Sequence, residues 1–118
     1  MPAWEGKTFE APDEVRSFDR GRLELVTFGN ATVGRFTLQP GWKWSQSVKP
    51  GVGTEWCEQA HFGYQISGRL HLRMRDGTEF ETGPGDVTFT PPGHDAWVVG
   101  DEPVVVVDWT GAATYGQR

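Results

Sequence analysis

The chain has 118 residues, with 11 Lys+Arg against 16 Asp+Glu and a formal net charge of −5. That is one domain's worth of chain, and its dispersed acidic balance argues against nucleic acid or an anionic membrane surface as the main partner. No apolar run approaches the roughly 20 residues of a membrane-spanning helix, no secretory signal pattern opens the sequence, and the lone Cys57 has no internal disulfide partner, so the expected compartment is the reducing cytoplasm.

Sixteen Gly and eight Pro punctuate the sequence, with Val, Thr, Phe and Trp between them, which is the pattern of short strands and tight turns. Residues 1–19 read as an N-terminal segment packing on the main body, with one or two helical turns over Asp13–Phe18. Arg22–Phe28 reads as a strand closed by Gly29-Asn30, and Val33–Leu38 as a second ended by Pro40-Gly41. Trp42 and Trp44 share a face by period-two alternation. Ser45–Thr54 is expected to be a loop. Cys57–Ser67 reads as extended, with Gly68 at the turn. Arg69–Arg75 alternates, Leu70, Leu72 and Met74 inward and His71 outward with three Arg, and Asp76-Gly77 turns it into a short strand over Thr78–Glu81. Gly83–Asp86 and Pro91–Gly93 bracket a strand over Val87–Thr90. Ala96–Val99 and Pro103–Trp109 follow, the latter apolar on both faces, as for a strand buried against a partner subunit. Residues 111–118 read as a loose tail. Short, regularly spaced strands without a helical crossover imply an all-β antiparallel domain: a sandwich, jelly roll or barrel.

Gly68 at the end of one extended stretch, then Gly85, Pro91 and Gly93 at fixed intervals, resemble the two conserved motifs of the cupin superfamily over roughly residues 20–110. The resemblance implies a small antiparallel jelly-roll barrel over 20–110, a homodimer, and one divalent metal held inside by three His and a Glu. The ligand positions depart from that pattern. Counting back from Gly68, the Glu position holds His61 and the two His positions hold Cys57 and Glu55. In the second motif the His position holds Ala96.

The residues that remain are a carboxylate, a thiol and an imidazole, and alternation puts Glu55, Cys57 and His61 on one face of an extended segment. His94 lies two residues before Ala96, near the expected barrel mouth. A Cys/His/His or Cys/His/Glu set suits Zn²⁺ first, with copper, iron or nickel as further divalent candidates. Gln65 shares the face of His61, either as a candidate ligand anchor or paired with His61 or the backbone. Trp42, Trp44 and Trp56 are candidate walls of a small-molecule pocket. Asp95 and Asp108 are candidates to orient His94 or cap turns. Three readings stay open: a metal-binding cupin, with or without enzymatic activity; a metal-free, Trp-lined binding module; and a metal-free enzyme using Cys57 as nucleophile or a histidine as base.

Overall fold

The computed structural model describes residues 3–110 and 112–115. Nine strands form: β1 (Glu14–Phe18), β2 (Gly21–Phe28), β3 (Ala31–Leu38), β4 (His61–Ser67), β5 (Arg69–Met74), β6 (Glu79–Thr82), β7 (Val87–Thr90), β8 (His94–Val99) and β9 (Val104–Asp108). All pairs are antiparallel, in a six-stranded sheet ordered β1-β2-β3-β9-β4-β7 and a three-stranded sheet ordered β6-β5-β8. The closed barrel expected from the sequence is not formed. The ladders leave two sheets around one core, linked by the isolated bridges Lys43↔Trp97 and Cys57↔His94. No helix among the described residues is long and apolar enough to cross a membrane.

Period-two patterning builds the core. Leu23 and Leu25 of β2, Phe36 and Leu38 of β3, Leu72 of β5, Ala96 and Val98 of β8 and Val104 of β9 point inward and pack as one cluster. Burial of each large aliphatic or aromatic side chain contributes about 1.5–3 kcal/mol. Gly68 sits at φ +76 between β4 and β5, where a Cβ would meet the Pro103 carbonyl at 2.6 Å, so this turn requires glycine.

Four local expectations are corrected. The helical turn expected over 13–18 is strand β1, because that segment pairs residue by residue with β2, from Glu14↔Leu25 to Phe18↔Gly21. The loop over 45–54 contains two helical turns, α1 (Trp44–Ser47) and α2 (Lys49–Val52), ended by Gly53 at φ +88. The extended stretch expected from Cys57 becomes regular strand only at His61. The tail is not loose where it is described: Ala112 and Tyr115 are buried in the core, while Gly111 and residues 116–118 lie outside the described residues. The strand apolar on both faces, β9, lies inside the large sheet between β3 and β4.

On the outer side of β2 and β3, Glu24 is buried and Arg35 meets it with two hydrogen bonds, Nε to Oε1 at 2.8 Å and Nη2 to Oε2 at 3.0 Å. The N-terminal segment covers this pair, with Glu10 on Arg35 Nη1 and the Phe9 ring under the guanidinium. Arg35→Met removes two of the three hydrogen bonds on the buried Glu24 carboxylate and leaves it only Arg22 Nη2 at 3.2 Å. The expected loss is about 3 kcal/mol in urea unfolding, largely recovered in the double variant Glu24→Leu/Arg35→Met. A loss under about 1 kcal/mol would give the pair the worth of an exposed ion pair.

Candidate metal centre

Three side chains that no short motif unites are brought together by the sheets. Cys57 Nα–H donates to the His94 carbonyl at 2.8 Å, and Gly93 N–H to the Cys57 carbonyl at 2.7 Å. This bridge clamps Cys57 against the start of β8. His61 begins β4, next to β9. One ligand atom each from Cys57, His61 and His94 lie within 4.8 Å of one another. The Cys57 Sγ to His61 Nε2 distance is 3.8 Å, which sulfur and nitrogen bonded to one tetrahedral ion at about 2.3 and about 2.0 Å can span.

Each imidazole is held from behind. His61 Nδ1 lies 2.5 Å from Asp108 Oδ2, and His94 Nδ1 lies 2.8 Å from the Pro91 carbonyl oxygen. A carbonyl only accepts, so His94 Nδ1 carries the proton. A carboxylate imposes the same on His61. Both rings therefore present Nε2 to the cluster, and these are the buttressing contacts that metal-ligating histidines make. Asp108 is itself fixed: its Oδ1 accepts from the backbone N–H of Phe62 at 3.2 Å and of Thr110 at 2.9 Å.

The electrostatics couple the thiol to the nearer ring. Burial opposes a Cys57 thiolate, but hydrogen bonds from His61 and His94 outweigh it and bring the pKa down to about 6. Burial likewise opposes a charged His61, and Asp108 with Cys57 outweighs it, raising the pKa to about 9. Tyr115, edge-on to Phe36 and 5.6 Å from the His61 ring, is kept neutral, its pKa pushed up by burial and then by the nearby charges of Cys57, Asp108 and Asp95.

A cavity of about 80 Å³ adjoins the cluster, with His61, His94, Asp108, Trp42, Gln65 and Tyr115 among its lining residues. Leu72, Thr82, Thr88 and Thr90 line both this cavity and a groove of about 610 Å³ that also touches Phe80 and Phe89. These four side chains are a wall that the groove and the cavity share.

The remaining expected site residues separate. Glu55 is exposed and outside the cluster, because the chain bends at 55–56 and the alternation does not run back from Cys57. Trp44 packs in the core and Trp56 is half-buried, and neither lines the cavity. Gln65 lines it, but its amide is engaged: Nε2 donates to the Gly68 carbonyl at 2.8 Å and Oε1 accepts from Thr82 Oγ1 at 2.6 Å. It staples the β4–β5 turn to β6, which leaves it unsuited as a ligand anchor. Asp95 caps α1 through Ser45 N–H at 3.1 Å and does not orient His94. Asp108 orients His61, a pairing the sequence reading missed. Its signal was present: a carboxylate at the inward position after Val104 and Val106 has to find a partner. Tyr115 carried no signal, lying in a short polar tail.

In metal-free protein the thiolate absorbance of Cys57 near 240 nm is expected to titrate with a midpoint of about 6, against about 8.5 for a free thiol. Asp108→Asn keeps both Oδ1 contacts and removes the charge behind His61, so the midpoint is expected to move up. An unmoved midpoint would uncouple Asp108 from the pair. The linked stability terms oppose each other. The lowered Cys57 pKa favours folding progressively as pH rises from about 6 to about 9, and the raised His61 pKa disfavours it from about 6.5 to about 9. The pair is thus expected to leave stability nearly flat across that window.

The cupin domain profile matches residues 34–110. A search of curated proteins finds no match. Among solved structures, an uncharacterized conserved protein with a double-stranded beta-helix domain from Klebsiella pneumoniae is similar at 18% identity and TM-score 0.62, over 95% of this chain and 90% of that one. The Lactobacillus farciminis oxalate decarboxylase is similar at 18% identity and TM-score 0.61, over 83% of this chain, which spans only 30% of that enzyme. KdgF from Halomonas sp. is similar at 16% identity and TM-score 0.55, over 79% of this chain and 80% of that one. These structural likenesses carry the fold, and the profile match extends from β3 through β9, so the chain belongs to the cupin domain family.

Proposed function

We propose that this cupin holds one divalent transition metal through Cys57 Sγ, His61 Nε2 and His94 Nε2, and binds a small molecule beside it. The observation that carries this is the pair of occupied Nδ1 atoms, on Asp108 and on the Pro91 carbonyl, which turns both Nε2 atoms toward a thiol of lowered pKa. One thiolate and two imidazoles favour Zn²⁺ over the hard-ligand ions. Three protein ligands leave a position open, as catalytic rather than structural sites do. A bound ion supplies a Lewis acid for a ligand oxygen or acidifies a water. The chain's own part is to exclude bulk water, hold the imidazoles and admit the ligand through the β6/β7 groove.

Protein purified without chelators is expected to carry close to one zinc per chain by elemental analysis. Cys57→Ser and His94→Ala are each expected to weaken uptake more than roughly 10-fold, and Asp108→Asn by roughly 10- to 100-fold. Glu55→Gln is expected to change nothing. Absence of stoichiometric metal, or full uptake by Cys57→Ser, would overturn the proposal.

A second reading rests on the same three-group line. Cys57, His61 and Asp108 stand in the order thiol, imidazole, carboxylate of a nucleophilic triad. It is favoured if the chain takes up no metal and Cys57 alkylates quickly at pH 7. Zinc that blocks the alkylation argues for the first reading. A Trp-lined, metal-free pocket has less support, since Trp42 is the one indole on the cavity wall among the described residues.

The homodimer is proposed through the outer face of the six-stranded sheet. Phe62, Tyr64 and Ile66 of β4, Val87 and Phe89 of β7, and Trp109 after β9 are 41–64% exposed there. Half-exposed side chains of this size, where an aromatic has about 150–250 Å² to bury, offer about 600 Å² per chain and about 1,200 Å² across a twofold contact, enough for a stable pair. Sedimentation is expected to give a dimer that Phe89→Glu dissociates; a wild-type monomer at high concentration would contradict it.

A further inference from the structure

The metal cluster is braced from the outer side of the large sheet. Asp108 is the last residue of β9 and His61 the first of β4. The contact that turns His61 toward Cys57 is therefore made at strand ends, which open more readily than strand centres. The backbone of Phe62, Trp109 and Thr110 closes them. Phe62 N–H and Thr110 N–H both donate to Asp108 Oδ1, and Trp109 N–H donates to the Phe62 carbonyl at 2.9 Å. The side chains of Phe62 and Trp109 leave this brace toward solvent. Their rings lie 6.1 Å apart, and they are 45% and 49% exposed. Whatever covers those two rings also holds the backbone donors that hold Asp108.

The surface around them fits one kind of cover. The outward positions of β4 are Phe62, Tyr64 and Ile66, and those of β7 are Val87 and Phe89, with Phe62 opposite Phe89 and Tyr64 opposite Val87. On its other side Tyr64 stands opposite Val107 of β9. None of these side chains is charged, on a chain of net charge −5. A twofold contact lays a patch on its own copy. A charged patch would repel itself there, and an uncharged one does not. A partner recognised by opposite charge has no group to meet on this face. A second copy is thus the occupant that suits it, over about 600 Å² per chain.

We propose that dimerisation and metal binding are coupled through this brace: a second copy seated on Phe62 and Trp109 tightens the hold of Cys57, His61 and His94 on their ion. This rests on the metal site and the dimer proposed above, and adds the link between them. Metal binding needs His61 oriented, Asp108 orients His61, and the Phe62 and Thr110 amides orient Asp108. In a monomer the ion has to close strand ends that a dimer already holds closed, which lowers its apparent affinity. Linkage makes the effect reciprocal, so zinc tightens the dimer by the same factor per site.

Zinc affinity is measured by competition with a chromophoric chelator on wild-type protein diluted across its dimer–monomer transition. The transition itself is followed by sedimentation with and without zinc. Zinc is expected to bind the dimer at least roughly 5-fold more tightly than the monomer, and to move the dimer dissociation constant down correspondingly. Ile66→Glu lies on the face but outside the walls of the cavity and the groove. It is expected to give a monomer that keeps the weaker zinc affinity at every concentration. If that variant does not fold, dilution of the wild type decides alone. Stoichiometric zinc held equally by monomer and dimer overturns the inference and leaves the metal site standing. So does a zinc-loaded wild type that stays monomeric at every concentration. A protein that takes up no zinc removes the metal site and the inference with it.

Discussion

The hydrogen bond between Asp108 and His61 is the contact on which the site depends. Asp108 is almost fully buried, and a carboxylate in that position has to be paired or neutralised. Its partner is the Nδ1–H of His61, so one short contact settles the tautomer, turns Nε2 inward and keeps the ring charged when it faces a thiolate. The backbone donors of Phe62 and Thr110 hold the other oxygen, so the orientation comes from two strands and a turn, and not from a side chain free to rotate.

The sheet order makes that contact possible. β9, last of the strands in sequence, inserts between β3 and β4, which sets Gly63 opposite Asp108 and brings the end of β9 beside His61. Gly63 permits the approach, since a Cβ there would lie 2.5 Å from the Val107 carbonyl. Cys57 and His94 come together by a separate device, an isolated bridge outside both ladders. The sheets do not join between β6 and β7, and the groove there shares wall residues with the cavity. The same strands that carry the site inward carry Phe62, Tyr64, Phe89 and Trp109 outward, so a contact between copies would press directly on its supporting wall.

The architecture was legible where local chemistry decides it. Leu70, Leu72 and Met74 alternate as a strand must, and Gly68, Gly77, Gly85 and Gly93 all take the positive φ that their turns were read to need. The segment over 14–18 was not legible, because its pairing with β2 is a tertiary fact that overrides a weak helical pattern. In the site, Cys57 and His61 were marked by residue type at an inward-facing spacing, and His94 by its place beside a vacant ligand position. Glu55 misled because alternation presumes an unbroken strand, and the chain bends at exactly that residue and the next. Gln65 was legible as an inward-facing residue, but a buried amide looks the same in sequence whether it awaits a ligand or staples a turn. Asp108 was half seen, and Tyr115 was invisible: its burial depends on where the end of β9 delivers the tail.

The central claim is that one thiolate and two buttressed imidazoles bind the same ion. X-ray absorption at the zinc edge on the loaded protein tests it most directly. The account predicts one sulfur at about 2.3 Å and two imidazole nitrogens at about 2.0 Å in the inner shell. A shell of oxygen and nitrogen without sulfur would contradict it.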